Sequence, residues 1–82
     1  MMSMTDENYL YLSDLGLVTA LSLAFSCEVS RPVGSKKVFF IFENSTLIQE
    51  KINNYWNGNF PVDAKKYSEQ IKSIKSRVYQ SL

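Results

Sequence analysis

The spacing of apolar residues changes along the chain, and its first third predicts a strand followed by a helix. Asn8 to Ser13 (NYLYLS) is rich in Tyr and Leu, which is typical of a β-strand. Ser13 is expected to accept a backbone N–H bond at the start of the helix, and Asp14 to complement its positive end. From Asp14 to about Ser26 the apolar positions recur with helical spacing and form one wide stripe: Leu17, Val18, Leu21, Ala24 and Phe25.

The next segment, Cys27 to Glu43, predicts a β-hairpin. Two runs of strand-forming residues flank a turn marked by Pro32, Gly34 and Ser35. A strand that is apolar on both faces is expected to be sheltered on two sides. The second run has this property, with Val38, Phe40 and Phe42 on one face and Phe39, Ile41 and Glu43 on the other.

A second helix is predicted after the hairpin. Asn44 or Ser45 is expected to cap its start, and Gly58 is expected to end it in a left-handed conformation. Pro61 then blocks continuation of the helix. Its apolar stripe is predicted to contain Ile48, Ile52, Tyr55 and Trp56.

The last helix is predicted from Ala64 to about Gln80. Asp63 is its expected N-cap, and Val62 is placed to pack on Tyr67 as a hydrophobic staple. The apolar face of the helix is predicted to consist of Tyr67, Ile71, Ile74 and Val78. These elements together predict an α+β fold in the order βαββαα, with a small three-stranded sheet and three helices.

The composition fits one compact domain. The chain has 82 residues, of which 45% are hydrophobic and 13% aromatic, so we expect a flexible N-terminus over residues 1–7 and a single domain over 8–82. The lone Cys27 cannot form an internal disulfide, and its apolar neighbours predict a buried thiol in a reducing, cytoplasmic compartment. Neither a signal peptide nor a membrane span is predicted, since the apolar run Leu15 to Phe25 is shorter than the roughly 20 residues that a span needs.

The inventory of reactive side chains argues against an enzyme. The chain has no histidine and one cysteine, which excludes Cys/His zinc sites and nucleophile–histidine systems within one chain. The three glycines, at 16, 34 and 58, match neither a P-loop nor a dinucleotide fingerprint. We therefore expect no catalytic residue, no metal site and no cofactor.

The aromatic cluster YWNGNF has two interpretations. Tyr55, Trp56 and Phe60 can form a stacking platform for bases or sugars. The favoured interpretation is structural, with Tyr55 and Trp56 facing the core and Asn57-Gly58 stopping the helix, because helical phase and capping account for each residue.

The last helix also carries a basic strip. On a helical wheel Lys65, Lys72, Lys75 and Tyr79 fall within about 80° of one another, together with Ser68. Such a strip can follow a nucleic-acid backbone or hold the phosphates of a nucleotide. The favoured alternative is an ordinary solvated face, because Glu69 interrupts the strip and the net charge of the chain is only +1.

The first helix presents small, uncharged residues beside its apolar stripe, namely Gly16, Thr19, Ser22 and Ser26. This face either packs inside the domain or contacts another chain, and the sequence leaves both alternatives open. With the outward side of the hairpin strand it gives a candidate interface: Gly16, Thr19, Ser22, Phe39 and Ile41.

Three stretches, KKVFFIFENS, NNYWNGNFPVDAKKY and IKSIKSRVY, resemble a family of short prokaryotic and viral proteins described as a domain of unknown function. The resemblance covers nearly the whole chain but consists of fold-forming residues, so it implies the architecture and assigns no catalytic residue. The chain departs from the family in its longer acidic N-terminus and in Ser22 and Ser26.

The sequence thus favours a small non-catalytic, cytoplasmic binding protein that acts through protein–protein contacts. Its expected partners are a second copy of the chain and an unidentified protein, and a viral or mobile-element origin would imply an inhibitor or accessory role. The alternative is a binder of nucleic acid or a nucleotide through the basic strip.

Overall fold

The computed structural model describes residues 4–5, 8–34 and 37–80. The predicted α+β fold is confirmed, and the βαββαα order is preceded by a two-residue strand. Of the predicted flexible segment 1–7, only Met4 and Thr5 lie within the described residues. The elements are β1 (Met4–Thr5), β2 (Tyr9–Leu12), α1 (Leu15–Ser22), β3 (Cys27–Ser30), β4 (Phe39–Glu43), α2 (Thr46–Trp56) and α3 (Ala64–Gln80).

The sheet is antiparallel, with the strand order β1-β2-β4-β3. Strand β4 pairs with β2 on one side and with β3 on the other, so the predicted hairpin is confirmed and the three predicted strands are neighbours. The short strand β1 extends the sheet beyond β2. In the turn of the hairpin Gly34 has a φ of +80°, a conformation that favours glycine, whereas Ser35 lies outside the described residues.

All three helices bury side chains against one face of the sheet, which we call the inner face. Phe40 and Phe42 at its centre are 1% and 0% exposed, and Leu10 and Leu12 of β2 lie beside them. Cys27 is only half-buried at the edge, which differs from the predicted buried thiol. The helices complete the core with Leu17, Val18, Leu21, Ile48 and Ile74.

Helix α1 is shorter than the sequence predicts and has a different cap. Asp14, rather than Ser13, is the N-cap, because its Oδ1 accepts the backbone N–H of Leu17 at 2.9 Å. The helix ends at Ser22 instead of Ser26, and the backbone N–H groups of Ala24 and Phe25 both donate to the carbonyl of Leu21. The early end gives the chain four residues in which to reverse before β3 begins.

The predicted caps of the other two helices are confirmed. Ser45 Oγ accepts the N–H of Ile48 at 3.1 Å, and Asp63 Oδ1 accepts the N–H of Lys66 at 3.0 Å. Gly58, with a φ of +76°, follows α2 in the left-handed conformation that its position requires.

The prediction that Trp56 faces the core is wrong, because 53% of its surface is exposed. Tyr55 takes the inward position in the last turn of α2, and the ring of Trp56 lies edge-on to it with centroids 5.0 Å apart. Trp56 sits at the margin of the apolar stripe, about 80° from Ile48 on a helical wheel, which leaves one side of the indole in solvent.

Helix α1 packs between the sheet and the other two helices, and its small residues permit this packing. Thr19 is fully buried, and its hydroxyl donates to the carbonyl of Leu15. The carbonyl of Gly16 accepts from Tyr67 Oη at 3.5 Å, and Ser22 Oγ accepts from Gln70 Nε2 at 2.9 Å. Of the two alternatives for this face, internal burial therefore fits the structure. An interface through Gly16, Thr19 and Ser22 does not, because these residues are occupied within the chain.

The contact between Gly16 and Tyr55 gives a testable stability effect. A Cβ at position 16 would lie 2.7 Å from Tyr55 Oη, so Gly16→Ala is expected to lose the gain of about 1 kcal/mol that this change normally brings in a helix. In a Tyr55→Phe background the hydroxyl is absent and the gain should return. Chemical denaturation of the wild type, the two single variants and the double variant measures the coupling free energy between the two positions. Additive effects on stability would contradict the close approach.

Candidate interaction surface on the outer face of the sheet

The side of the sheet opposite the core, which we call the outer face, carries the alternate residues of each strand. In the register of the sheet Ile41 lies between Tyr11 and Glu28, while Tyr9 is opposite Glu43 and Phe39 is opposite Ser30. Directly opposed side chains of this kind have Cβ atoms about 5 Å apart, so they form one continuous surface. The outer face consists of Tyr9, Tyr11, Glu28, Ser30, Phe39, Ile41 and Glu43.

The centre of the outer face is more apolar than a solvated sheet face normally is. Antiparallel sheets with one wet side usually alternate apolar residues inward with polar residues outward. Here Tyr11, Phe39 and Ile41 are half-buried, and Tyr9 is 47% exposed. An aromatic and aliphatic patch rimmed by polar residues is typical of a surface that contacts another molecule.

No helix residue lines the open part of this face within the described ranges 4–5, 8–34 and 37–80. A cleft of about 320 Å³ runs over it and is lined by Tyr9, Ser26, Cys27, Glu28, Ile41 and Glu43. These residues come from the strands and the residue before β3. Among the described residues, the expectation that β4 is sheltered on both sides is thus met only on its inner face.

Charge is distributed unevenly along the outer face. The exposed carboxylate of Glu28 lies opposite Ile41 at the middle of the outer face, and the exposed carboxylate of Glu43 lies at the end of β4. The exposed Lys37 precedes the start of β4 at the opposite end. The surface therefore has an acidic end and a basic end on either side of its apolar centre.

The structure places the residues of the predicted phosphate site on the solvent side of α3. Lys65, Lys72 and Lys75 are exposed, and Tyr79 is 74% exposed. Glu69 is also exposed within the strip, as the sequence indicates. The strip is convex, so the geometry offers a row of charges rather than an enclosed site.

The candidate interface predicted from the sequence includes Phe39 and Ile41 but lacks Tyr9 and Tyr11. The signal was present in the segment Asn8 to Ser13, where Tyr and Leu alternate with the period of a strand. With Leu10 and Leu12 buried, the two tyrosines must point to the other face.

Comparisons with known proteins support the resemblance found in the sequence. Residues 7–80 match the model of a family described as a domain of unknown function, DUF5659. No curated protein and no solved structure matches the chain. Among the described residues, no helix is long and apolar enough to cross a membrane, and no three acidic or cysteine side chains come together as a metal site.

Proposed function

We propose that this chain, which belongs to the family of the domain of unknown function DUF5659, is a small non-catalytic binding protein that acts through protein–protein contacts. The observation that carries the proposal is the outer face, on which Tyr9, Tyr11, Phe39 and Ile41 form an apolar surface with no helix over it in the described chain. A domain of this size buries only about 60 to 65% of its unfolded surface, so covering such a face with another chain adds substantially to its burial.

A second copy of the chain is the simplest partner for the outer face. A two-fold axis lying across the strands would stack two outer faces and set the acidic end of one protomer over the basic end of the other. Glu28 and Glu43 would then approach Lys37 of the second copy, while the apolar centres meet. The charge pattern favours this antiparallel arrangement over a parallel one, which would place like charges together.

Sedimentation equilibrium between about 1 and 300 μM tests this proposal on the unmodified protein. We expect the apparent mass to rise from 9.4 kDa toward twice that value. A mass of 9.4 kDa over the whole range would overturn self-association. The outer face would then be assigned to a different protein, as in an inhibitor or accessory factor of a virus or mobile element acting in the cytoplasm.

The basic strip on α3 supports a second proposal, the binding of nucleic acid or a nucleotide. Its support is that Lys65, Lys72 and Lys75 are all exposed on one side of the helix. Glu69 within the strip and the net charge of +1 make it the weaker of the two proposals.

Salt dependence distinguishes a phosphate-binding strip from a solvated face. If three lysines contact phosphates, the logarithm of the affinity for single- or double-stranded DNA should fall with the logarithm of salt concentration with a slope of about 2 to 3 in magnitude. Lys72→Gln combined with Lys75→Gln should reduce the slope and the affinity while the apolar side of α3 stays intact. Fluorescence anisotropy with labelled oligonucleotides measures both quantities. An absence of binding at 50 mM salt would eliminate this proposal.

A further inference from the structure

A second cleft, which shares Ser26 and Cys27 with the cleft on the outer face, lies where the end of α1 meets α3. It has a volume of about 410 Å³, within the range of small-molecule sites. Its walls are the chain reversal after α1 and two side chains of α3. Among the described residues its lining includes one cation and no acid: Ser22, Leu23, Ala24, Phe25, Ser26, Cys27, Gln70 and Arg77.

Arg77 is held firmly at the side of this cleft. Its Nη2 donates to the carbonyl of Cys27 at 2.8 Å, and its Nη1 lies 3.5 Å from Cys27 Sγ. The guanidinium carbon is 5.8 Å from the centre of the Phe40 ring, a distance that allows a cation–π contact. The half-buried guanidinium is therefore fixed before any ligand arrives, which reduces the entropic cost of binding.

The charge of Arg77 is not neutralised within the described chain. Its contacts there are the two with Cys27 and the ring of Phe40, and none is with a carboxylate. A guanidinium has five N–H donors in a planar fork, so donors remain after these contacts. A planar fork of this kind matches the two oxygens of a carboxylate.

Gln70 supplies an oriented amide in the same cleft. Its Nε2 donates to Ser22 Oγ at 2.9 Å, and Ser22 Oγ in turn donates to the carbonyl of Thr19 at 2.8 Å. This chain of hydrogen bonds fixes the amide and leaves its second N–H for another acceptor.

We propose that the cleft between Arg77 and Gln70 binds a carboxylate group carried by a small molecule or a peptide. A singly charged group matches the single cation of the cleft. A phosphate dianion would leave one negative charge uncompensated, and it would do so beside the C-terminal end of α1, where the helix dipole is negative. The charge balance thus selects a singly charged carboxylate over a phosphate dianion.

Titration of ¹⁵N-labelled protein with sodium acetate, sodium phosphate and sodium chloride at constant ionic strength tests the proposal. We expect saturable shifts of the Arg77 Nε–H and Gln70 side-chain amide signals with acetate, with a dissociation constant on the order of millimolar. Phosphate is expected to bind more weakly than acetate. Linear shifts that are equal in acetate and chloride, or tighter binding of phosphate, would overturn the assignment.

Three variants locate the binding. Gln70→Glu keeps the size of the side chain and adds a competing carboxylate, so the affinity for acetate should fall at least about tenfold. Arg77→Lys keeps the charge but loses the fork, and a similar loss is expected. Lys66→Gln removes an exposed charge of α3 that lies outside both the cleft and the basic strip, so it should leave the affinity unchanged. If Arg77→Lys does not fold, Gln70→Glu decides, and undiminished acetate binding in that variant would contradict the proposal.

Discussion

Phe42→Ala is expected to destabilise the domain by about 3 to 5 kcal/mol, whereas Phe39→Ala, three residues earlier on the same strand, should cost less than about 2 kcal/mol. Phe42 is 0% exposed on the inner face, where its removal leaves a cavity among core residues. Phe39 is half-buried on the outer face, so water fills the space that its ring vacates. A chain of this length has a total stability on the order of 8 kcal/mol, so the first change removes a large part of it.

Urea denaturation followed by circular dichroism measures this difference. The two phenylalanines are matched in residue type, strand and backbone conformation. Their comparison therefore isolates the difference in stability between a position on the inner face and one on the outer face. The protein concentration must be low enough that the chain is monomeric, because association through Phe39 would add to its apparent stability. Equal losses for the two variants would mean that the outer face is covered within the chain.

Ile41→Lys is expected to weaken self-association at least about 100-fold, an effect of about 2.8 kcal/mol, while the monomer stays folded. Ile41 lies at the centre of the outer face, so a charge there would be buried between two protomers. In the monomer the new lysine stands opposite Glu28, an arrangement that favours a cross-strand ion pair. The substitution thus penalises the complex specifically.

Leu47→Lys is the matched control for this variant. Leu47 is 56% exposed on α2 and belongs to neither face of the sheet, so the same charge change there should leave association unaltered. Sedimentation equilibrium of both variants gives the comparison. Equal weakening by the two changes would indicate a general effect of net charge, and an unaffected Ile41→Lys would place the contact elsewhere.

The order of elements could be predicted from the sequence because each local signal agreed with the final packing. Ser45 and Asp63 bond to the backbone of the helices that follow them, and Gly58 adopts a left-handed conformation at the end of α2. These interactions involve residues within four positions of one another. Local hydrogen bonds and steric limits determine these interactions, so they can be predicted from one amino-acid sequence.

Features that depend on distant residues could not be predicted in the same way. Whether the small face of α1 contacts another chain depends on the positions of Tyr67 and Gln70 in the fold. These residues of α3 lie about fifty residues after their partners in α1. Trp56 and Tyr55 are adjacent in sequence, and the tertiary packing of α2 determines that the tyrosine turns inward. The cleft at Arg77 is a further case, because no spacing in the sequence links Arg77 to Cys27.

The outer face could be predicted from the sequence only in part. The alternation along β2 and β4 identifies which side chains share a face, but it does not say which face the helices cover. Only the joint burial of Leu10, Leu12, Phe40 and Phe42 against the helices assigns the odd-numbered residues of β2 and β4 to the open side.

Whether the outer face contacts a second copy of the chain is tested by an isotope-filtered NOE experiment on a mixture of ¹³C-labelled and unlabelled protein. At a concentration that populates the dimer, we expect intermolecular NOEs from the δ1 methyl group of Ile41 and the ring of Phe39 to aromatic protons of the other protomer. Intermolecular NOEs confined to α2 or α3, or none at millimolar concentration, would contradict the account.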